Sequence, residues 1–154
     1  MNKPVTYTYI TVLINVLFAM LLFFSMSGGT INPIKEFFDY IIYFYLNFTA
    51  ALVALFVSSY YAGKKMGKLI CEKKWNSILV GMIGLMVILI CGVLGGATVG
   101  FLEEGIMRGH NVSDSIVDYY FKPLFWILIF GFIPTFISGA FLGKKIKKTC
   151  CKTI

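Results

Sequence analysis

Four long apolar runs separated by short polar stretches carry the pattern of this chain, at approximately 5–26, 40–62, 75–102 and 121–142. Each is close to the roughly 20 residues needed to cross the hydrocarbon core of a bilayer. Strands of a membrane barrel would alternate polar with apolar positions, and these runs do not. Inside hydrocarbon the backbone must satisfy its own hydrogen bonds, so a continuous apolar run of this length is predicted to be helical. The expectation is an all-α integral membrane protein with four transmembrane helices, packed as a bundle of two helical hairpins. The first run has serines near its end, as a secretory signal would, but its apolar core exceeds the roughly 7–15 residues of a signal peptide. It is read as an uncleaved anchor.

Composition agrees with the pattern: 58% of residues are hydrophobic and 14% charged, against about 45–50% and 25% in soluble domains. The charges that remain are sorted. The N-terminus, the stretch at 63–74 and the tail at 143–154 hold eleven of the fourteen basic residues, among them Lys3, Lys64, Lys65, Lys68, Lys144 and Lys145, with Glu72 as their one acid. The alternate loops hold Lys35, Arg108 and Lys122 against six acids. Lysine and arginine in short loops mark the cytoplasmic side, so both termini are predicted to be cytoplasmic, most simply in a bacterial inner membrane. Clustered lysines can also bind nucleic acid. Here they abut the span ends, where anionic lipid head groups attract each by about 1 kcal/mol, so the expected partner is a lipid surface.

Cys71, Cys150 and Cys151 fall on the predicted reducing side and Cys91 within the third run. Free thiols are expected, with palmitoylation of Cys150 and Cys151 as an alternative in a eukaryotic host.

A repeat with an offset of 80 residues relates the ends of the second and fourth runs: Gly63, Lys64 and Lys65 match Gly143, Lys144 and Lys145, and Ser58 matches Ser138. It suggests two similar hairpins, 1–74 and 75–154, related as a parallel repeat. Asn32 before Pro33 suits a helix start. Ser115 and Asp118 have capping-box spacing, and Asp118 lies four residues before Lys122, as an ion pair on one helical face requires. Tyr40, Tyr43, Tyr45, Tyr119, Tyr120 and Trp126 fit an aromatic belt at one interface, and Trp75 marks the other.

Small residues form the clearest pattern inside the runs. Gly92, Gly96 and Gly100 recur every four positions, as do Ala50, Ala54, Ser58 and Ala62, and Gly131, Thr135, Gly139 and Gly143. Such faces let helices approach closely in lipid. They are predicted to pack within one bundle, or else one of them, the third run's glycine face, is left for a partner. Asn15 and Asn47 are the conspicuous intramembrane amides, read as bridges between helices or as the lining of a polar path. No Asp, Glu, Lys, Arg or His falls near the middle of a run, which weakens the case for a proton-coupled carrier.

Glu103, Glu104, His110 and Asp114, with Asp118, form an acidic loop that is read as a solvated rim or a weak calcium or magnesium site. One histidine with carboxylates is a poor zinc signature. Asn111 begins a glycosylation triplet that matters only if this loop faces a eukaryotic lumen. "GVLGGATVG" lacks the lysine of a phosphate-binding loop, and neither HExxH nor GxSxG occurs. No enzyme, cofactor or metal is therefore expected.

In layout the chain resembles the inner-membrane immunity proteins that protect bacteria from pore-forming colicins: small and hydrophobic, with four spans, cytoplasmic ends and basic clusters after the second and fourth spans. The resemblance covers the span pattern and carries no functional residues. Small-residue faces without catalytic residues, together with this layout, lead to the expectation of a non-catalytic protein acting through helix–helix contacts, as an immunity or exclusion factor or an accessory subunit of a membrane complex. The alternative reading is a small homo-oligomeric transporter or channel, and a lipid-modifying enzyme using the acidic loop ranks last.

Overall fold

The computed structural model describes residues 3–26, 33–106 and 112–150. Among them the chain is helical apart from short turns, and no strand occurs. Helix α1 spans Lys3–Met26, α2 Pro33–Tyr43, α3 Tyr45–Cys71, α4 Ser77–Gly100, α5 Val112–Ile116 and α6 Lys122–Cys150. Two π-helical segments, Phe101–Ile106 and Val117–Phe121, continue α4 and lead into α6. Four helices, α1, α3, α4 and α6, are long and apolar enough to cross a membrane. They touch in the cyclic order α1, α3, α4, α6, and the contact of α3 with α4 is the most extensive.

The boundaries differ from those expected in an instructive way. The basic stretch at 63–74 is not a loop up to its end: α3 continues through Lys64, Lys65 and Lys68 to Cys71. Gly63, Met66, Gly67 and Ile70 are buried, and this three-and-four spacing keeps one face of the extension against its neighbours. The exposed lysines between them are good helix formers and complement the negative end of the helix dipole. The same holds for α6, which runs to Cys150 with Leu142, Gly143 and Ile146 buried. Residues 40–43 belong to α2, separated from α3 by a turn at Phe44. Ser115 lies inside the helical path, buried at 5% exposure, and does not cap a helix. Pro33 opens α2, while Asn32 and the side chain of Tyr40 lie outside the described residues.

Helix α1 turns Val5, Thr8 and Val12 inward. Its opposite face, with Leu13, Ile14, Leu17 and Leu21, is exposed, as a lipid-facing surface would be. Val12, Met66, Ile70, Val80, Leu85, Ile88, Leu142 and Ile146 make one buried apolar cluster drawn from all four long helices.

Backbone contact sets the spacing between helices. A Cβ added at Gly81 in α4 would lie 2.8 Å from the amide nitrogen of Gly143 in α6 and would strike the Gly139 carbonyl oxygen. One added at Gly139 would lie 2.8 Å from the Met82 Cα, and one at Gly143 would strike the Ser77 carbonyl oxygen. Higher along α4, a Cβ at Gly96 would meet the Ala51 Cβ at 3.0 Å and the Asn47 carbonyl oxygen at 3.1 Å. Gly131 is different: its nearest neighbours would be side-chain carbons at 3.4 and 3.5 Å, which is ordinary contact.

The connection from α3 to α4 includes Lys74 with φ at 53°, a left-handed conformation that disfavours a side chain. Asn76 then caps α4, its Oδ1 accepting from the Ile78 amide at 3.1 Å.

This packing predicts opposite outcomes for two similar substitutions. Gly81→Ala should destabilise the detergent-solubilised protein by at least about 2 kcal/mol, because backbone on α6 has to move. Gly131→Ala should be neutral or stabilise by up to about 1 kcal/mol through helix propensity. Thermal melting of the two variants beside the parent chain checks both.

Candidate functional site

One end of the bundle collects the start of α1, the end of α3, the turn before α4 and the end of α6 around a cavity of about 1120 Å³. Lys3, Lys64, Lys65, Lys68, Lys74 and Lys147 line it, with Glu72 as the only acid in its wall among the described residues. The lysines therefore come together from three helices and a turn, although they are scattered in sequence. Nearby, the Lys145 ammonium sits 5.0 Å from the centre of the Tyr7 ring, a cation–π contact that holds one lysine against α1. Trp75 is 58% exposed at this level.

Two cysteines on this wall are joined, against the expectation of free thiols. The Cys71 and Cys150 sulfurs form a disulfide that links the ends of α3 and α6, with the Cα atoms 5.6 Å apart. The expectation rested on assigning these residues to a reducing loop and tail. The continuation of both helices instead carries the two residues to the same level. Cys91 is a free, half-buried thiol in α4, and Cys151 lies outside the described residues.

The small-residue faces meet one another within the chain. Gly92 packs on Leu55, Gly95 on Ala54 and the Ala50 carbonyl, Gly96 on Ala51, and Gly100 on Asn47 and the Tyr119 ring. The third span's glycine face is thus covered by α3, which removes it as a free surface for a partner. Gly139 and Gly143 pack on Ser77 and Gly81. In α3 the fully buried hydroxyl belongs to Ser59, which donates to the Leu55 carbonyl at 2.6 Å. Ser58 is half-buried and donates to the same carbonyl at 3.0 Å. Gly81, Gly95, Ala51 and Ser59 were missed as packing positions in the sequence. A four-residue step from Ser77 to Gly81 was the legible signal for one of them.

The two intramembrane amides differ. Asn15 in α1 donates through Nδ2 to the Thr11 carbonyl at 2.8 Å and to the Ser138 hydroxyl of α6 at 3.0 Å. That hydroxyl in turn donates to the Pro134 carbonyl at 2.7 Å. Asn15 and Ser138 are a direct polar tie between α1 and α6. Asn47 makes no such tie through its carbonyl: Oδ1 is buried without a hydrogen-bond partner.

Asn47 lies at the opposite end from the lysines, on the wall of a second cavity of about 440 Å³ formed by α3, α4 and the approach to α6. There Asp118 pairs with Lys122 at 2.5 Å, both side chains more than half exposed. The Tyr120 hydroxyl donates to Thr98 Oγ1 at 3.2 Å, which ties the π-helical segment before α6 to α4. Tyr43, Tyr45 and Trp126 are exposed toward this end. Of the acidic loop, Glu103 lies in the first π-helical segment and Asp114 in α5, where it is exposed. His110 and the side chain of Glu104 lie outside the described residues.

No protein-family model, curated protein or solved structure matches this chain.

The Asn15–Ser138 tie has a modest expected value. Asn15→Leu should cost about 0.6 kcal/mol, the mean for interhelical hydrogen bonds in a membrane, and Ser138→Ala a similar amount. The double variant should cost no more than either alone, and a thermal-melting double-mutant cycle measures that coupling.

Proposed function

We propose that this chain is a non-catalytic membrane protein that acts by contact between helices, as an immunity or exclusion factor or as an accessory subunit of a membrane complex. Both termini are assigned to the cytoplasmic side of a bacterial inner membrane, with the lysine-rich end against anionic head groups. The reading is carried by one observation: the small-residue faces are spent inside the bundle. Gly81 with Gly139 and Gly143, and Gly96 with Ala51, bring backbones together, and Val12, Leu85, Ile88 and Ile146 fill the space beside them. A single copy therefore offers a surface more readily than a path.

The surface for a partner helix is the outward face of α6. Phe125, Trp126, Phe130, Phe132 and Phe141 are exposed along it, and the Trp126 and Phe130 rings stack with centroids 5.7 Å apart. Bulky aromatic side chains present large, rigid contact area to another helix.

Native mass spectrometry of the chain, released from its own membrane under mild conditions, tests the reading. A heteromeric complex is the expected result. Trp126→Ala with Phe130→Ala should then lower recovery of the partner at least tenfold while leaving the melting temperature of the chain nearly unchanged. A discrete homo-oligomer would instead favour the transporter or channel reading, with a pathway between copies, and would call for flux assays in liposomes.

Orientation has its own test in the disulfide. Disulfides rarely persist in the cytosol. With the lysine-rich end inside, Cys71 and Cys150 should both be alkylated in acid-trapped cells and should close into a disulfide only after lysis in air. A bond already present in intact cells would place that end on the oxidising side.

A further inference from the structure

The lysine-rich cavity concentrates charge that the fold itself does not use. Lys3, Lys64, Lys65, Lys68, Lys74 and Lys147 line it against the one carboxylate of Glu72. Among the described residues none of the six is in an ion pair. Helix dipoles account for Lys68 and Lys147, which lie in the last turns of α3 and α6, where a cation is favourable. They do not account for the others. Lys3 opens α1, at the positive end of its dipole, where a cation is unfavourable. Lys64 lies four residues before Lys68 on α3, a spacing at which like charges repel. Lys74 is held with φ at 53°, and residues kept in that sparsely populated region cluster at ligand clamps.

The wall is not polar throughout. Pro4, Tyr61, Ile70 and Trp75 complete it beside the lysines, so the cavity suits an anion with an apolar portion. Its volume of about 1120 Å³ exceeds the range of about 300–1,000 Å³ typical of small-molecule sites, and a lone phosphate group fills little of it. A phosphodiester with a single charge leaves most of the lysines uncompensated. Lysine binds phosphate as a point charge, without the planar fork that arginine offers to carboxylates. Basic pockets between membrane helices take head groups that carry several phosphates.

We propose that this cavity is a specific site for a ligand bearing two phosphate groups, held between the lysines of α1 and α3 and those of α6 and the turn before α4. The phosphates have two sources: the head group of a diphosphate lipid in the adjoining leaflet, or a soluble diphosphate. In its lipid form the site rests on the reading of this end as a head-group surface. The two separate by experiment, because attraction to a surface counts total charge, whereas the site requires both phosphates in one molecule and depends on which lysines remain. The site is independent of the contact role proposed for α6.

The test uses the full chain in lipid-free maltoside detergent, titrated with cardiolipin, with twice the concentration of phosphatidylglycerol to match the phosphate count, and with sodium pyrophosphate. The expected result is a saturable rise in melting temperature with cardiolipin, at a concentration lower than that of phosphatidylglycerol by about tenfold. Lys68→Gln with Lys147→Gln removes two lining charges and should weaken cardiolipin by about tenfold. Lys73→Gln with Lys148→Gln removes the same charge from neighbouring lysines that do not line the cavity, and should leave binding within about threefold, since exposed charges outside the site are screened. Lys74→Gly should weaken cardiolipin while the ligand-free melting temperature stays level or rises, because glycine accepts a positive φ without strain. If the first double variant fails to fold, Lys74→Gly decides alone.

Pyrophosphate that stabilises the chain and competes with cardiolipin identifies a soluble diphosphate as a sufficient ligand. Binding of cardiolipin with no effect of pyrophosphate identifies a head-group site. Equal binding of the two lipids per phosphate, or equal loss in the two double variants, overturns the site and leaves the head-group surface standing. No response to either lipid or to pyrophosphate overturns both.

Discussion

Helices in hydrocarbon gain little from hiding apolar surface, since lipid tails are as apolar as leucine. Their association depends on how closely the backbones can come, and in this chain that closeness is set at a few glycines of α4. Gly81 admits the backbone of α6 at Gly139 and Gly143, and Gly95 and Gly96 admit α3 at Ala50 and Ala51. α4 consequently touches both neighbours along most of its length, and α1 completes the ring by packing Val5 and Thr8 beside Gly63. The buried cluster, the alignment of the helix ends and the two cavities all follow from where these backbones meet.

Polar side chains work within that frame in two ways. Most are satisfied locally: Thr8, Thr11 and Ser59 each donate to a carbonyl four residues earlier, so they cost little in an apolar setting and leave the helix faces smooth. Asn15 reaches across to Ser138 and joins α1 to α6. Asn47 stands apart because its carbonyl oxygen remains buried and unpaired. Two amides of the same type thus differ: one joins two helices, and the carbonyl oxygen of the other is left unpaired by the packing around it.

The two ends of the bundle are chemically unlike. One gathers lysines from α1, α3, α6 and the turn before α4, together with the Cys71–Cys150 disulfide. The other carries Asp118, its partner Lys122 and a set of tyrosines and phenylalanines. Asymmetry of this kind orients a helical bundle across a bilayer, and it gives the two aqueous faces different affinities for anions and cations.

Length and hydropathy of the apolar runs were enough to announce four membrane-length helices, because a bilayer imposes a fixed thickness and an unpaired amide in hydrocarbon is prohibitive. The four-residue steps of Gly92, Gly96 and Gly100 likewise announced a face for close contact. The sequence was silent on what would cover that face, since a step of four says which side of a helix is narrow and not which helix fills it. It misplaced the helix ends for a related reason: lysines read as loop when judged by polarity, while Met66, Ile70, Leu142 and Ile146 between them are held inward by neighbours distant in the chain. The meeting of Cys71 with Cys150, 79 residues apart, and the isolation of the Asn47 carbonyl were decided only by the tertiary structure. Both depend on the relative height and rotation of packed helices, quantities fixed by backbone contact at glycine and carried by no local run of residues.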